Sequence, residues 1–298
     1  MKVKGIHYGL TLLYSYLLPA VEVEERADGF KFRFERGLAR GLECEFRESL
    51  LETTCTTSTL KGVSELNSLL GIEKHYLFTN FCKLIGLEDC IANHVSLIFD
   101  PRYKRVVAYS VYLSRNTDYY VNTINWVKEA LDSGRIESSS YIAREFNEFK
   151  GSIDRVLGAG LKPREEAVEL MKVRGFGVKL AKAYLLHSYG LTEHSPIDRH
   201  YASFFGLGKR SAQKARCISK SLECELCKAD CPYYLSTKRF GVFSGVVQSL
   251  TYIHGKLVSK RRTPLERVLI RDADYYVDKL DNILERASKL LSTELTSG

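Results

Sequence analysis

Proline is scarce in this chain, with 6 in 298 residues, and glycine stands at only 21. That excludes collagen-like repeats, and with 45% hydrophobic and 27% charged residues it also excludes extensive disorder. No stretch approaches the ~20 consecutive apolar residues that a bilayer span requires, so no membrane partner is expected. No secretory leader is expected either. Lys2 and Lys4 precede an apolar run over 10–18, but Tyr14, Ser15 and Tyr16 interrupt it and Glu22, Glu24 and Glu25 follow, so this segment reads as the first element of the fold. Neither an internal repeat nor a low-complexity tract is found.

The length suffices for two compact domains or one large one. Lys and Arg number 44 against 36 Asp and Glu, a net charge of +8, which suits an anionic partner such as nucleic acid and is also within ordinary surface bias. Cysteine is plentiful at 8. Four of them, Cys217, Cys224, Cys227 and Cys231, crowd together in a way that reads as metal ligands, and an intracellular (cytoplasmic or nucleoid) location follows. Cys44, Cys55, Cys82 and Cys90 read as buried apolar residues.

Over 21–47 the hydrophobic pattern has period two: Val21 and Val23, then Phe30, Phe32 and Phe34, then Leu42, Cys44 and Phe46 alternate with charged residues. This predicts three half-buried strands in an antiparallel meander. From about residue 63 the period lengthens. Helices are expected over 63–87, 105–114, 119–131, 139–149, 164–172, 178–189, 198–205, 243–254 and 264–291. The fold class is therefore mostly α with a small antiparallel β N-terminal domain (α+β). The expected division is a β-containing domain over 1–95 and a helical domain over 96–298. The basic run Lys256, Lys260, Arg261 and Arg262 fits either a phosphate contact or a solvated link between helices.

The stretch Val173-Arg174-Gly175-Phe176-Gly177-Val178-Lys179 lies between two helical patterns. Gly175 and Gly177 make a tight hairpin whose free amides at the next helix start can hold a phosphate oxygen. An ordinary helix–helix turn fits the same glycines. Asp198 then follows Lys179 by 19 residues, in Ser195-Pro196-Ile197-Asp198-Arg199-His200. A surface lysine and a helix-capping aspartate also satisfy that spacing.

With this pair the sequence resembles the helix-hairpin-helix DNA glycosylase superfamily, in which such a Lys and Asp face one another across the active-site cleft. The resemblance implies a nucleophilic Lys179 and an Asp198 that accepts a proton or stabilises the sugar cation. His200 would be a phosphate contact. Asn116, in Ser114-Arg115-Asn116-Thr117-Asp118, takes the place of the family's amide that fills the gap left by an extruded base, although a helix N-cap accounts for it equally. The segment Gly241-Val242-Phe243-Ser244-Gly245-Val246-Val247-Gln248 is similar, more specifically, to the 8-oxoguanine DNA glycosylase branch. There a Gln and, four residues on, an aromatic ring read the flipped base. Gln248 and Tyr252 hold those positions and share a helix face. One departure is Ala183, where eukaryotic-type members carry a Cys.

The four cysteines read Cys-x6-Cys-x2-Cys-x3-Cys, followed by Pro232. Such thiolates hold a [4Fe-4S] cluster, the expected cofactor, or a tetrahedral Zn as the alternative. The endonuclease III branch has a related signature after its last catalytic helix, whereas here the cysteines fall between Asp198 and Gln248. Lys214, Arg216, Lys220 and Lys228 suggest that this loop lies near DNA. Together these features predict a monomeric base-excision enzyme acting on double-stranded DNA that carries a damaged base or abasic site. It would be a bifunctional glycosylase/lyase for 8-oxoguanine. The alternatives are a glycosylase for an oxidised pyrimidine, or a non-catalytic DNA-binding protein.

Overall fold

The computed structural model describes residues 1–57, 66–207, 212–227, 231–259 and 261–292. Five strands form one antiparallel sheet: β1 (Lys2–Lys4), β2 (Val21–Arg26), β3 (Gly29–Phe34), β4 (Glu43–Arg47) and β5 (Glu52–Thr56), in the order β1-β5-β4-β3-β2. The meander expected from the alternating pattern is β2-β3-β4. Arg26 pairs with Gly29, leaving a two-residue turn at Ala27 and Asp28. Phe30, Phe32, Phe34, Cys44 and Phe46 all face the core, because side chains alternate across a strand.

A short helix α1 (Tyr8–Leu13) runs under that apolar face, with the Tyr8 ring stacked on Phe32 at 5.3 Å. All six of its residues are buried, which accounts for its carrying no charged side chain. The helical remainder comprises α2 (Ile72–Leu84), α3 (Lys104–Leu113), α4 (Ile124–Asp132), α5 (Tyr141–Gly158), α6 (Pro163–Lys172), α7 (Val178–Tyr189), α8 (Arg199–Phe204), α9 (Lys214–Ser219), α10 (Pro232–Phe240), α11 (Ser244–Leu257), α12 (Pro264–Leu269) and α13 (Ala273–Ser292). A π-helical turn at Tyr119–Thr123 leads into α4. The first residues of the expected 63–87 helix lie outside the described residues, and α2 accounts for its second half. The pattern over 264–291 predicts one helix, but two are present. Ile270 is extended, and Asp272 accepts a hydrogen bond from the Tyr275 amide at 3.1 Å, which starts α13 afresh.

The fold is thus mostly helical with a small antiparallel sheet at the N-terminus, as the periodicity predicts. Helix α7 is the central strut, packed on α3 and α6, while α11 packs on α8, α10 and α13. Chain ends meet, since α12 packs on α1 and on β2 and β3. No helix among the described residues is long and apolar enough to cross a membrane.

Two features correct the cysteine reading. Cys44 and Cys55 stand directly opposite on β4 and β5 and are joined by a disulfide, as are Cys82 and Cys90. These four are buried, as expected, but covalently paired rather than simply apolar. The pairing depends on which strands become neighbours, and β5 has no alternating pattern to announce it.

Candidate active site

A cleft of about 580 Å3 opens between α7, α8, α11 and the loop after α3. Of the expected site residues, Asn116, Lys179, Asp198, His200, Gln248 and Tyr252 all line it. Gly175 and Gly177 do not; they form the hairpin at its edge, between α6 and α7.

Gly175 is dictated by geometry. Its φ is +79°, and an added Cβ would fall within the Arg115 guanidinium, 2.9 Å from Cζ and 2.8 Å from the Tyr112 hydroxyl. Both neighbours hold the hairpin. Tyr112 Oη donates to the Arg174 carbonyl at 3.1 Å, and Arg115 Nη1 donates to the Gly175 carbonyl at 3.3 Å. The guanidinium lies over the Tyr112 ring at 4.0 Å and pairs with Glu145 on α5 at 2.7 Å. These tethers were not legible as site residues. Gly177 is the extended N-cap of α7, where a Cβ would meet nothing.

The hairpin sets Lys179 in the first turn of α7, half-buried at the cleft. Asp198 is the N-cap of α8. Its Oδ1 accepts from the Tyr201 amide at 2.8 Å, and its Oδ2 accepts from Gln248 Nε2 at 3.3 Å. The capping reading is therefore correct, and it does not compete with the cleft reading: the cap fixes a carboxylate that lines the cleft. His200 lies edge-on to the Tyr252 ring at 5.7 Å. That contact requires Gly255, whose Cβ would stand 2.6 Å from His200 Cγ. Burial holds the His200 imidazole below the ordinary histidine value; Asp198 opposes this, while Arg199, Lys256 and Lys179 add to it.

Asn116 is exposed at the rim, in the left-handed region at φ +49°. Its Nδ2 reaches the Tyr141 hydroxyl at 3.5 Å. The helix cap here is Asp118, which accepts from the Tyr120 and Val121 amides at 2.9 and 3.1 Å, so Asn116 is not needed for capping. Tyr16 is a lining residue that no motif marks. It comes from the segment after α1, and burial pushes its phenol up to about 12.

Cys217 on α9, Cys224 and Cys231 are buried and Cys227 is half-buried; all four are free thiols. Burial, then the other three thiols, push Cys217 up to about 11. Among the described residues no three His, Cys, Asp or Glu side chains converge closely enough to hold a metal ion. Lys182, one turn after Lys179 on α7, is 1% exposed. Its Nζ lies 2.9 Å from Cys224 Sγ, 2.8 Å from His194 Nδ1 and 3.2 Å from the Leu222 carbonyl. Lys228 lies outside the described residues. In the basic run after α11, Lys256 is paired with Glu266 at 2.7 Å and Arg262 donates to the Ile270 carbonyl; Lys260 lies outside the described residues.

This arrangement is a helical fold in which a hairpin and the N-terminus of a following helix present a lysine and an aspartate to one cleft. A solved structure shares the fold. MBOgg1, in complex with a low affinity DNA ligand, matches with a TM-score of 0.55 at 13% identity, over 85% of this chain and 94% of that one. The 8-oxoguanine glycosylase/lyase of Clostridium acetobutylicum aligns more loosely. Its apo form gives a TM-score of 0.48 at 11% identity over 84% of this chain and 93% of that one. Its complex with double-stranded DNA containing cytosine opposite 8-oxoG gives 0.44 at 12% identity over 78% and 97%. No protein-family model and no curated protein sequence matches the chain.

Proposed function

We propose that the chain is a DNA glycosylase with lyase activity that excises 8-oxoguanine from duplex DNA. The observation that carries the reading is the convergence of Lys179, Asp198, Gln248 and Tyr252 on one cleft, in a fold shared with MBOgg1. A lysine amine attacks only when neutral. Lys179 Nζ attacks sugar C1′ and forms the new C–N bond, while the bond from C1′ to the base breaks and the base leaves with its electron pair, taking a proton from water. Asp198 accepts the proton that the amine loses. Opening of the sugar ring at the C1′–O4′ bond, with O4′ taking that proton back from Asp198, gives a protonated Schiff base. Loss of a C2′ proton then expels the 3′ phosphate by β-elimination.

The extruded base would sit against Tyr252 and Gln248, Asn116 would fill the vacated stack, and the Gly175–Gly177 hairpin and His200 would hold phosphates. The chain would act as an intracellular monomer.

Cys217, Cys224, Cys227 and Cys231 would hold a [4Fe-4S] cluster, with Zn the alternative. The chemistry of two of them suits a cation: burial first, then the neighbouring thiols, raises the ionisation cost of Cys217 and Cys227, which a bound cation removes. The buried Lys182 beside Cys224 also suits an anionic thiolate set. When bound, such a cluster would cross-link α9, α10 and the loop between them. The cysteine set also favours a second reading, excision of an oxidised pyrimidine. Single-turnover base release from duplexes carrying 8-oxoguanine, an oxidised pyrimidine or no lesion decides between them. Release from the first duplex alone is expected, release from the second alone moves the substrate, and binding without release leaves a non-catalytic DNA-binding protein.

A further inference from the structure

Beneath the floor of the cleft lies a small void of about 10 Å3, ringed by Tyr14, Tyr16, Tyr119, His187, Gln248 and Tyr252. Tyr16, Tyr119, Gln248 and Tyr252 line the open cleft as well, so the void is its inner end. It has room for about one water. Two of its members carry buried polar atoms that nothing satisfies, Nδ1 of His187 and Oε1 of Gln248. Their side chains are 2% and 5% exposed. A buried group left without a partner forfeits a hydrogen bond that it had in water, so such groups are rare unless a ligand or water meets them.

The chemistry each atom offers is constrained. Gln248 Nε2 is committed to Asp198 Oδ2, and a carboxylate only accepts, so the amide carbonyl is the atom left over. His187 sits edge-on to Tyr16 at 4.9 Å and to Tyr14 at 5.8 Å. Burial holds it down to about 3, so it stays a neutral ring with one donor and one acceptor nitrogen.

We infer that the void is the closed seat of the extruded base's hydrogen-bonding edge, and that His187 contacts that edge as a specificity-determining residue beside Gln248. The inference rests on the glycosylase reading above and extends it. An acceptor at Gln248 Oε1 calls for a ring N–H on the base. Guanine-, thymine- and uracil-type bases present one; adenine and cytosine present a ring nitrogen lone pair there instead, and two acceptors would face each other. His187 Nδ1 meets the neighbouring group on the same edge. Because the closed void holds only about one water, the rings of Tyr16 and Tyr252 part when a base enters.

The test compares two reactions of the full-length protein and of its His187→Phe and His187→Asn variants. One is single-turnover release of 8-oxoguanine, and the other is borohydride trapping on an abasic duplex, which has no base to read. His187→Phe keeps a packed ring without nitrogens and is expected to lower the ratio of base release to trapping by about ten- to a hundredfold. His187→Asn returns a hydrogen-bonding group near the Nδ1 position and recovers part of that ratio. A ratio within twofold of the parent, or no difference between the two variants, makes His187 a packing residue and overturns the inference. If the parent protein neither releases a base nor forms an adduct, the glycosylase reading itself falls, an outcome separate from any variant's behaviour.

Discussion

Asp198 is where the capping and chemical readings can be separated. Its Oδ1 caps α8 through the Tyr201 amide at 2.8 Å, and its Oδ2 holds Gln248 at 3.3 Å. Asp198→Ala removes the cap and costs about 1 kcal/mol of stability. Asp198→Asn keeps a capping oxygen, because Asn is as good an N-cap as Asp, and its stability stays within about 0.5 kcal/mol of the parent. Yet Asn accepts no proton, and its NH2 group would point at Gln248 Nε2, donor against donor. Base release should therefore fall about 10²–10⁴-fold in both variants, equivalent to about 3–5 kcal/mol of barrier. Urea unfolding and single-turnover base release, run on the three proteins side by side, read the two quantities separately. If Asp198→Asn recovers activity along with stability, the carboxylate is only a cap and the chemical role assigned to it is wrong.

Three further outcomes follow from the geometry. Gly175→Ala places a side chain at φ +79° inside the Arg115 contact, which should cost about 2–4 kcal/mol in urea unfolding and weaken duplex binding; an unchanged midpoint would show that the hairpin is not tethered as described. His187 is buried with its imidazole held down to about 3, against about 6.5 in an unfolded chain. The unfolded state thus binds a proton that the fold refuses. The stability that His187 contributes is complete above pH 6.5 and is lost as pH falls towards 3, by about 1.4 kcal/mol per pH unit. Unfolding midpoints from pH 7 to 4 should fall less steeply for His187→Phe, and parallel slopes would contradict the buried neutral ring. Replacing both Cys82 and Cys90 by Ser opens a loop of sequence separation 8 and should cost roughly 2–3 kcal/mol, measured against the parent without reductant.

Helices such as α3, α6, α7 and α11 were legible because their apolar faces repeat over at least ten residues. Likewise Phe30, Phe32 and Phe34 announced β3. By contrast β1 spans three residues, too few for any period, and β5 buries Glu52 beside Lys2 and Arg47, which masks its alternation. The cleft was legible where one short segment carries two chemical groups at a fixed spacing, as with Lys179 and Asp198, or Gln248 and Tyr252. Tyr14, Tyr16 and His187 escaped because they meet Gln248 only after the segment following α1 comes against His187 of α7 and Gln248 of α11, and no local pattern records a contact so distant in sequence. Arg115 and Glu145 escaped for the same reason, since an Arg beside a Gly turn is unremarkable until the backbone comes close to it.

The most direct test of the Lys179 chemistry is borohydride trapping on a labelled duplex carrying an abasic site, with the parent protein and Lys179→Gln. A covalent adduct in the parent that is absent from Lys179→Gln, with mass spectrometry placing the reduced sugar on the peptide containing Lys179, is the expected result. An adduct that survives Lys179→Gln, or a parent protein that forms none, would contradict the account.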